Sequence, residues 1–186
     1  MADLINTFYS AQILAQAREQ YLGCKNISLP QFLSAKGLAQ FKDPKWKRTF
    51  HPLTESYHTA KVPQVIYSKK FANMLSAIIG VKIKIEDAKT FKFFKGDYTL
   101  LADSTKHHNT PAFILNINKP MEKSAWKEEF GGYTSFLQKN EEAVRVIPQY
   151  NKLFIIDARG IRSFTKYINH RAPFPITFIT GKILPQ

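Results

Sequence analysis

The sequence predicts an α+β chain, with helices first and an antiparallel sandwich or barrel of short strands after them. Three observations point there. Apolar residues recur at helical spacing up to Gly80 and alternate with polar ones beyond it. Turn residues then punctuate one short apolar run after another. Phenylalanine occurs 15 times in 186 residues, a usage that suits packed strands better than a charged helical rod.

Each element has its own signals. Ser10 is placed to cap a helix over residues 11–22, with Ile13, Leu14, Ala17 and Tyr21 on one face and Gly23 ending it. Ser34 caps a second, short helix ending near Phe41. Residues 42–63 carry Pro44, Pro52 and Pro63 and read as loop with short extended pieces. Ser68 caps a third helix over residues 69–79, where Phe71, Met74, Leu75 and Ile78 share a face and Gly80 closes it. Val81, Ile83 and Ile85 then alternate with Lys82, Lys84 and Glu86, the pattern of a half-buried strand with a basic outer face. Further strands are expected at 91–95, 98–101, 112–118, 133–137, 144–147, 153–157, 163–168 and 176–183. The whole reads as one domain over 1–186, with 1–80 mainly helical support and 81–186 the β core.

Composition narrows the class. A hydrophobic fraction of 44% is too high for disorder. No stretch reaches the roughly 18 consecutive apolar residues of a membrane span. The N-terminus lacks the basic-then-apolar pattern of a signal peptide. Cys24, the single cysteine, excludes an intramolecular disulfide; a buried, apolar role and a cytoplasmic setting are expected for it. Lys and Arg total 27 against 14 acidic residues, a net charge of +13. Such a surplus favours a polyanionic partner: nucleic acid, or a nucleoprotein such as the ribosome.

Four blocks in the β region carry a family resemblance. They are Lys95-Gly96-Asp97-Tyr98-Thr99-Leu100-Leu101-Ala102-Asp103-Ser104, then Pro111-Ala112-Phe113-Ile114-Leu115-Asn116-Ile117-Asn118, then Trp126 followed by Gly131-Gly132-Tyr133. The last is Val146-Ile147-Pro148-Gln149-Tyr150-Asn151-Lys152-Leu153-Phe154, with Ser163-Phe164 after it. In order and spacing they resemble the prolyl-hydroxylase-like branch of the 2-oxoglutarate/Fe(II) dioxygenases, and the strand 176–181 echoes that family's closing strand. The resemblance implies a double-stranded β-helix, or jelly roll, with supporting N-terminal helices.

It also implies where chemistry should sit. Such enzymes hold iron with two His and one carboxylate, leaving open positions for 2-oxoglutarate and oxygen. The positions matching the proximal His-x-Asp pair are Ala102 and Ser104. The position of the distal His is Thr165, and that of the Arg that pairs with the 2-oxoglutarate carboxylate is Ile176. None of the four offers the expected donor. The resulting expectation is a catalytically inactive pseudoenzyme, with no metal and no cofactor, that serves as a basic accessory or structural binding protein. Two other readings stay open: a divergent Fe(II)/2-oxoglutarate-dependent protein hydroxylase with rearranged ligands, and a protein-interaction subunit. Asp103, His107, His108 and Asp157 are the residues from which a metal site could be rebuilt; His51, His58 and His170 read as structural or exposed.

The candidate nucleic-acid surface rests on basic and aromatic residues together. Lys45, Trp46, Lys47 and Arg48 interleave cations with an indole. Lys69 and Lys70 begin a helix, against its dipole. Lys82 and Lys84 project from one strand. Arg159, Arg162, Lys166 and Arg171 form a last cluster, with Arg162 and Lys166 expected to share one face of a strand. The pairs Glu128-Glu129 and Glu141-Glu142 read as solvated loop charge.

Overall fold

A computed structural model describes residues 4–41, 44–51, 55–100, 110–118, 126–139 and 141–186. The elements run α1 (Ala11–Cys24), β1 (Asn26–Leu29), α2 (Ala35–Ala39), β2 (Lys47–His51), β3 (Glu55–Ala60), a 3-10 turn at Gln64–Tyr67, α3 (Lys69–Ile79) and β4 (Ile83–Phe93). They continue as β5 (Tyr98–Thr99), β6 (Ala112–Asn116), a 3-10 turn at Glu128–Phe130, β7 (Thr134–Gln138), β8 (Glu141–Val146), β9 (Lys152–Ile156), β10 (Arg162–Thr165) and β11 (Ile176–Pro185).

The described strands form two sheets. The larger has the order β1-β9-β6-β11-β4-β3-β2, with β5 pairing β3; the smaller has the order β10-β7-β8. Every strand pair is antiparallel. Successive strand side chains point to opposite faces, and here both faces of the large sheet are covered. Phe113, Leu115, Leu153, Ile155 and Ile179 join one core with Ala17 and Tyr21 of α1 and Phe71, Leu75 and Ile78 of α3. Ala112, Ile114, Phe154, Ile156 and Phe178 join a second core with Phe136 of β7 and Val146 of β8. Full burial along β6 follows from this position between helices and a second sheet.

The expected α+β jelly roll is therefore present, and several elements match closely. The Ser10 and Ser68 hydroxyls accept from the Ile13 and Phe71 amides, capping α1 and α3. Gly80 adopts φ +90° and ends α3 as expected.

Other expectations need correction. Residues 1–80, expected to be mainly helical support, also supply β1, β2 and β3 to the large sheet. Within 42–63, read as loop with short extended pieces, those pieces are β2 and β3, paired antiparallel along their length. The strands expected at 81–86 and 91–95 are one continuous β4, because β11 pairs with it across an irregularity between Thr180 and Lys182. Helix α1 ends on Lys25 in the left-handed region (φ 59°), two residues beyond the expected Gly23. Cys24 is exposed, not buried, because it sits on the solvent face of the last turn of α1.

Candidate functional site

Facing residues of the two sheets line a half-open cavity of about 160 Å³. Phe91, Phe93, Phe136 and Phe178 furnish rings, and Thr99, Thr134, Ser163 and Thr165 furnish hydroxyls. The polar wall is internally bonded. The Thr165 amide donates to Thr99 Oγ1 at 2.8 Å, and the Thr134 and Thr165 hydroxyls lie 3.4 Å apart. Tyr57 packs edge-on against Phe91. Burial pushes its phenol up to about 12, so it is a neutral group at ordinary pH.

Thr165, expected at the distal ligand position, is thus in the cavity wall and buried. Ile176 is fully buried in the adjoining core, opposite Phe93. Ala102 and Ser104 lie outside the described residues, as do Asp103, His107 and His108. Iron in such an oxygenase needs imidazole and carboxylate donors. Among the described residues, no group of His, Cys, Asp or Glu is placed to hold a metal ion. An iron ion does not fit the described wall. Asp157 stands apart, held by Arg159 through a 2.7 Å bond from Nε, and that guanidinium keeps its carboxyl below the ordinary range.

A buried polar cluster lies beside β5. Asp97, 5% exposed, accepts from Ser56 Oγ at 2.5 Å and from the Phe94 amide at 2.8 Å. His58 Nδ1 lies 3.6 Å from Oδ2, the oxygen that accepts from the Phe94 amide. The Asp97 main chain also accepts from the Ile168 amide, and Gly96 donates to Ile168. Asp97 lies in one of the family-like blocks, in the Gly96 turn between β4 and β5, and nothing in its sequence neighbourhood marks it as buried.

The candidate cations are dispersed. Lys45 and Trp46 precede β2, and Lys47 and Arg48 lie on it, at the edge of the large sheet. Trp46 has the Lys92 ammonium 5.2 Å from its ring centroid. Lys69 and Lys70 open α3; Lys82 precedes β4, and Lys84 on it lies 3.7 Å from Glu86. Arg162 is on the small sheet, but β10 ends at Thr165, so Lys166 and Arg171 lie beyond it and the expected shared strand face does not form. Glu142 is in β8 rather than a loop, where it accepts from Arg145 Nε at 3.0 Å. Arg145 also pairs with Glu128 and lies over the Tyr133 ring. No helix among the described residues is long and apolar enough to cross a membrane.

Comparison with known proteins places this architecture. The family model described as "Oxoglutarate and iron-dependent oxygenase degradation C-term" matches residues 34–183. The mouse (Mus musculus) protein named prolyl 3-hydroxylase OGFOD1 is 37% identical over 81 residues, which is 41% of this chain and 14% of that protein. The chain thus spans a small part of the curated relative it matches. A prolyl-4-hydroxylase from Pseudomonas putida superimposes with a TM-score of 0.65 at 14% identity, covering 94% of this chain and 100% of that one. A 2OG-Fe(II) oxygenase family oxidoreductase from Burkholderia pseudomallei gives 0.64 at 11% identity, covering 98% and 95%. A Trichoplax adhaerens prolyl hydroxylase gives 0.61 at 8% identity, covering 94% and 90%.

These findings correct the expectation that the chain is not an enzyme. The matching family is one of oxygenases, the mouse relative is named a hydroxylase, and two of the superimposed proteins are named prolyl hydroxylases. The double-sheet core, the motif order along it and the match across 34–183 agree: the chain belongs to the oxoglutarate and iron-dependent oxygenase degradation C-term family.

Proposed function

We propose that this chain is a domain of an oxoglutarate- and iron-dependent protein hydroxylase that acts on prolyl residues. The observation that carries the reading is the family match over residues 34–183, supported by the mouse relative named prolyl 3-hydroxylase. The geometry adds a part for the domain. Its cavity, lined by phenylalanine rings and hydroxyls, suits one small apolar side chain with hydrogen bonds to the adjoining backbone. Because the described wall lacks iron donors, the ligands of the iron lie on other residues of the enzyme.

The test uses the native protein, captured through an antibody to this chain and supplied with ferrous iron, 2-oxoglutarate and a proline-containing protein. Succinate release coupled to a one-oxygen gain on a prolyl residue, both abolished by a chelator, is the expected result. Captured protein that yields neither product overturns the proposal.

A further inference from the structure

A second pocket opens on the opposite face of the large sheet. In an antiparallel pair, directly opposed residues share a face, and Thr90 opposes Ile179, which belongs to the helix-side core. Thr90 therefore faces away from the cavity between the sheets. The pocket, about 390 Å³, lies where the end of α2, the start of β2 and the segment after β3 meet that face. Phe41, Trp46, Val62 and Pro63 give it apolar and aromatic walls.

Two polar features make it more than a groove. Thr90 is 2% exposed, and its hydroxyl is buried without a hydrogen-bond partner among the described residues. Buried hydroxyls are ordinarily bonded, so one left over costs stability unless something supplies an acceptor. Lys61, exposed, is the ionisable group among the described lining residues, and Lys92, two residues along β4 from Thr90, adds a cation beside Trp46. An apolar body, an acceptor at the buried end and an anion at the exposed end would complement all three.

We propose that this pocket binds a small hydroxylated aromatic carboxylate. The ring lies against Trp46, Phe41 and Pro63, the carboxylate meets Lys61, and the ring hydroxyl accepts from Thr90. The inference stands independently of the hydroxylase reading, since it uses the other face of the sheet.

The probe is 6-hydroxy-2-naphthoate, titrated into the purified chain and followed by amide and indole NMR signals. Expected are saturable shifts at the Trp46 indole N–H and the Lys61, Val62 and Thr90 amides, with the Trp126 indole unmoved. 2-Naphthol, lacking the carboxylate, and 2-naphthoate, lacking the hydroxyl, should each bind about tenfold more weakly. Lys61→Met should erase the first difference and Thr90→Val the second; Thr90→Val leaves no group unpaired, so the variant remains folded. No saturable shift at these signals overturns the proposal. So do movement of Trp126, equal affinity for the three probes, or unchanged differences in the two variants.

Discussion

Asp97 shows what one buried carboxylate does when the fold surrounds it with donors. The Ser56 hydroxyl and the Phe94 amide both point at it, tying β3 to the turn before β5. Removing the acceptor strands both donors in a buried site, whereas removing one donor leaves the acid partly satisfied. Asp97→Ala is expected to cost about 2–4 kcal/mol and Ser56→Ala about 1 kcal/mol, read from urea unfolding. Gly131 is constrained differently: its φ is +71°, and a Cβ there would collide with the Tyr167 carbonyl oxygen. Its own carbonyl accepts from the Trp126 indole at 2.9 Å. Gly131→Ala should destabilise by about 2–4 kcal/mol, with Trp126 fluorescence moving toward that of exposed indole. Asp157 and Arg159 illustrate a weaker bond. Arg159 lowers the Asp157 carboxyl from its ordinary 3.8, so the pair contributes stability above that pH and loses it as pH falls through the lower folded value. With the Arg159 side chain 66% exposed, the contribution is below about 1 kcal/mol. Unfolding of Arg159→Ala and the parent should therefore differ slightly at neutral pH and converge in acid.

At the scale of elements, α3 was legible because every signal agreed. Its four buried residues share one face, Ser68 supplies the N-cap and Gly80 the left-handed end. Ser68→Ala should cost about 1 kcal/mol, measured by thermal or urea unfolding, because the Phe71 amide loses its acceptor. The β2–β3 pair was legible only as short extended pieces within a loop. Its residues are polar on both faces, and prolines flank them, so neither periodicity nor composition marks a strand. What makes them strands is pairing: β3 with β4, in the register His58–Lys92, Thr59–Phe91 and Ala60–Thr90, and β2 with β3 in turn. β10 shows the converse: Lys166 continues the sequence pattern, and its amide and carbonyl still bond Tyr133 and Gly132, but the paired strands close at Thr165 opposite Thr134, where β7 begins.

Across the whole molecule, the large sheet belongs to both cores, so neither can dissolve while the other stays packed. Phe113 lies over Gly181 in the helix-side core, while its neighbours Ala112 and Ile114 face the small sheet. Far-ultraviolet circular dichroism, reporting strands and helices, and Trp126 fluorescence, reporting the second core, should follow one coincident urea transition. Two separated transitions would mean that the small sheet unfolds by itself.

The sequence alone determined the local preferences and the family. The N-caps, the helical spacing and the alternation from Ile83 onward depend on neighbours in the chain, and they carry over into the fold. It also determined that Thr165 and Ile176 carry no iron donor or guanidinium, since residue identity needs no coordinates. The tertiary structure decided what those residues face: Thr165 bonds across a cavity to Thr99, and Ile176 fills core. It also decided which cations share a surface, and it alone brought Phe41, Trp46, Lys61 and Thr90 around one pocket. Such meetings depend on strand pairing between segments far apart in the chain, and no local pattern encodes where those segments will touch.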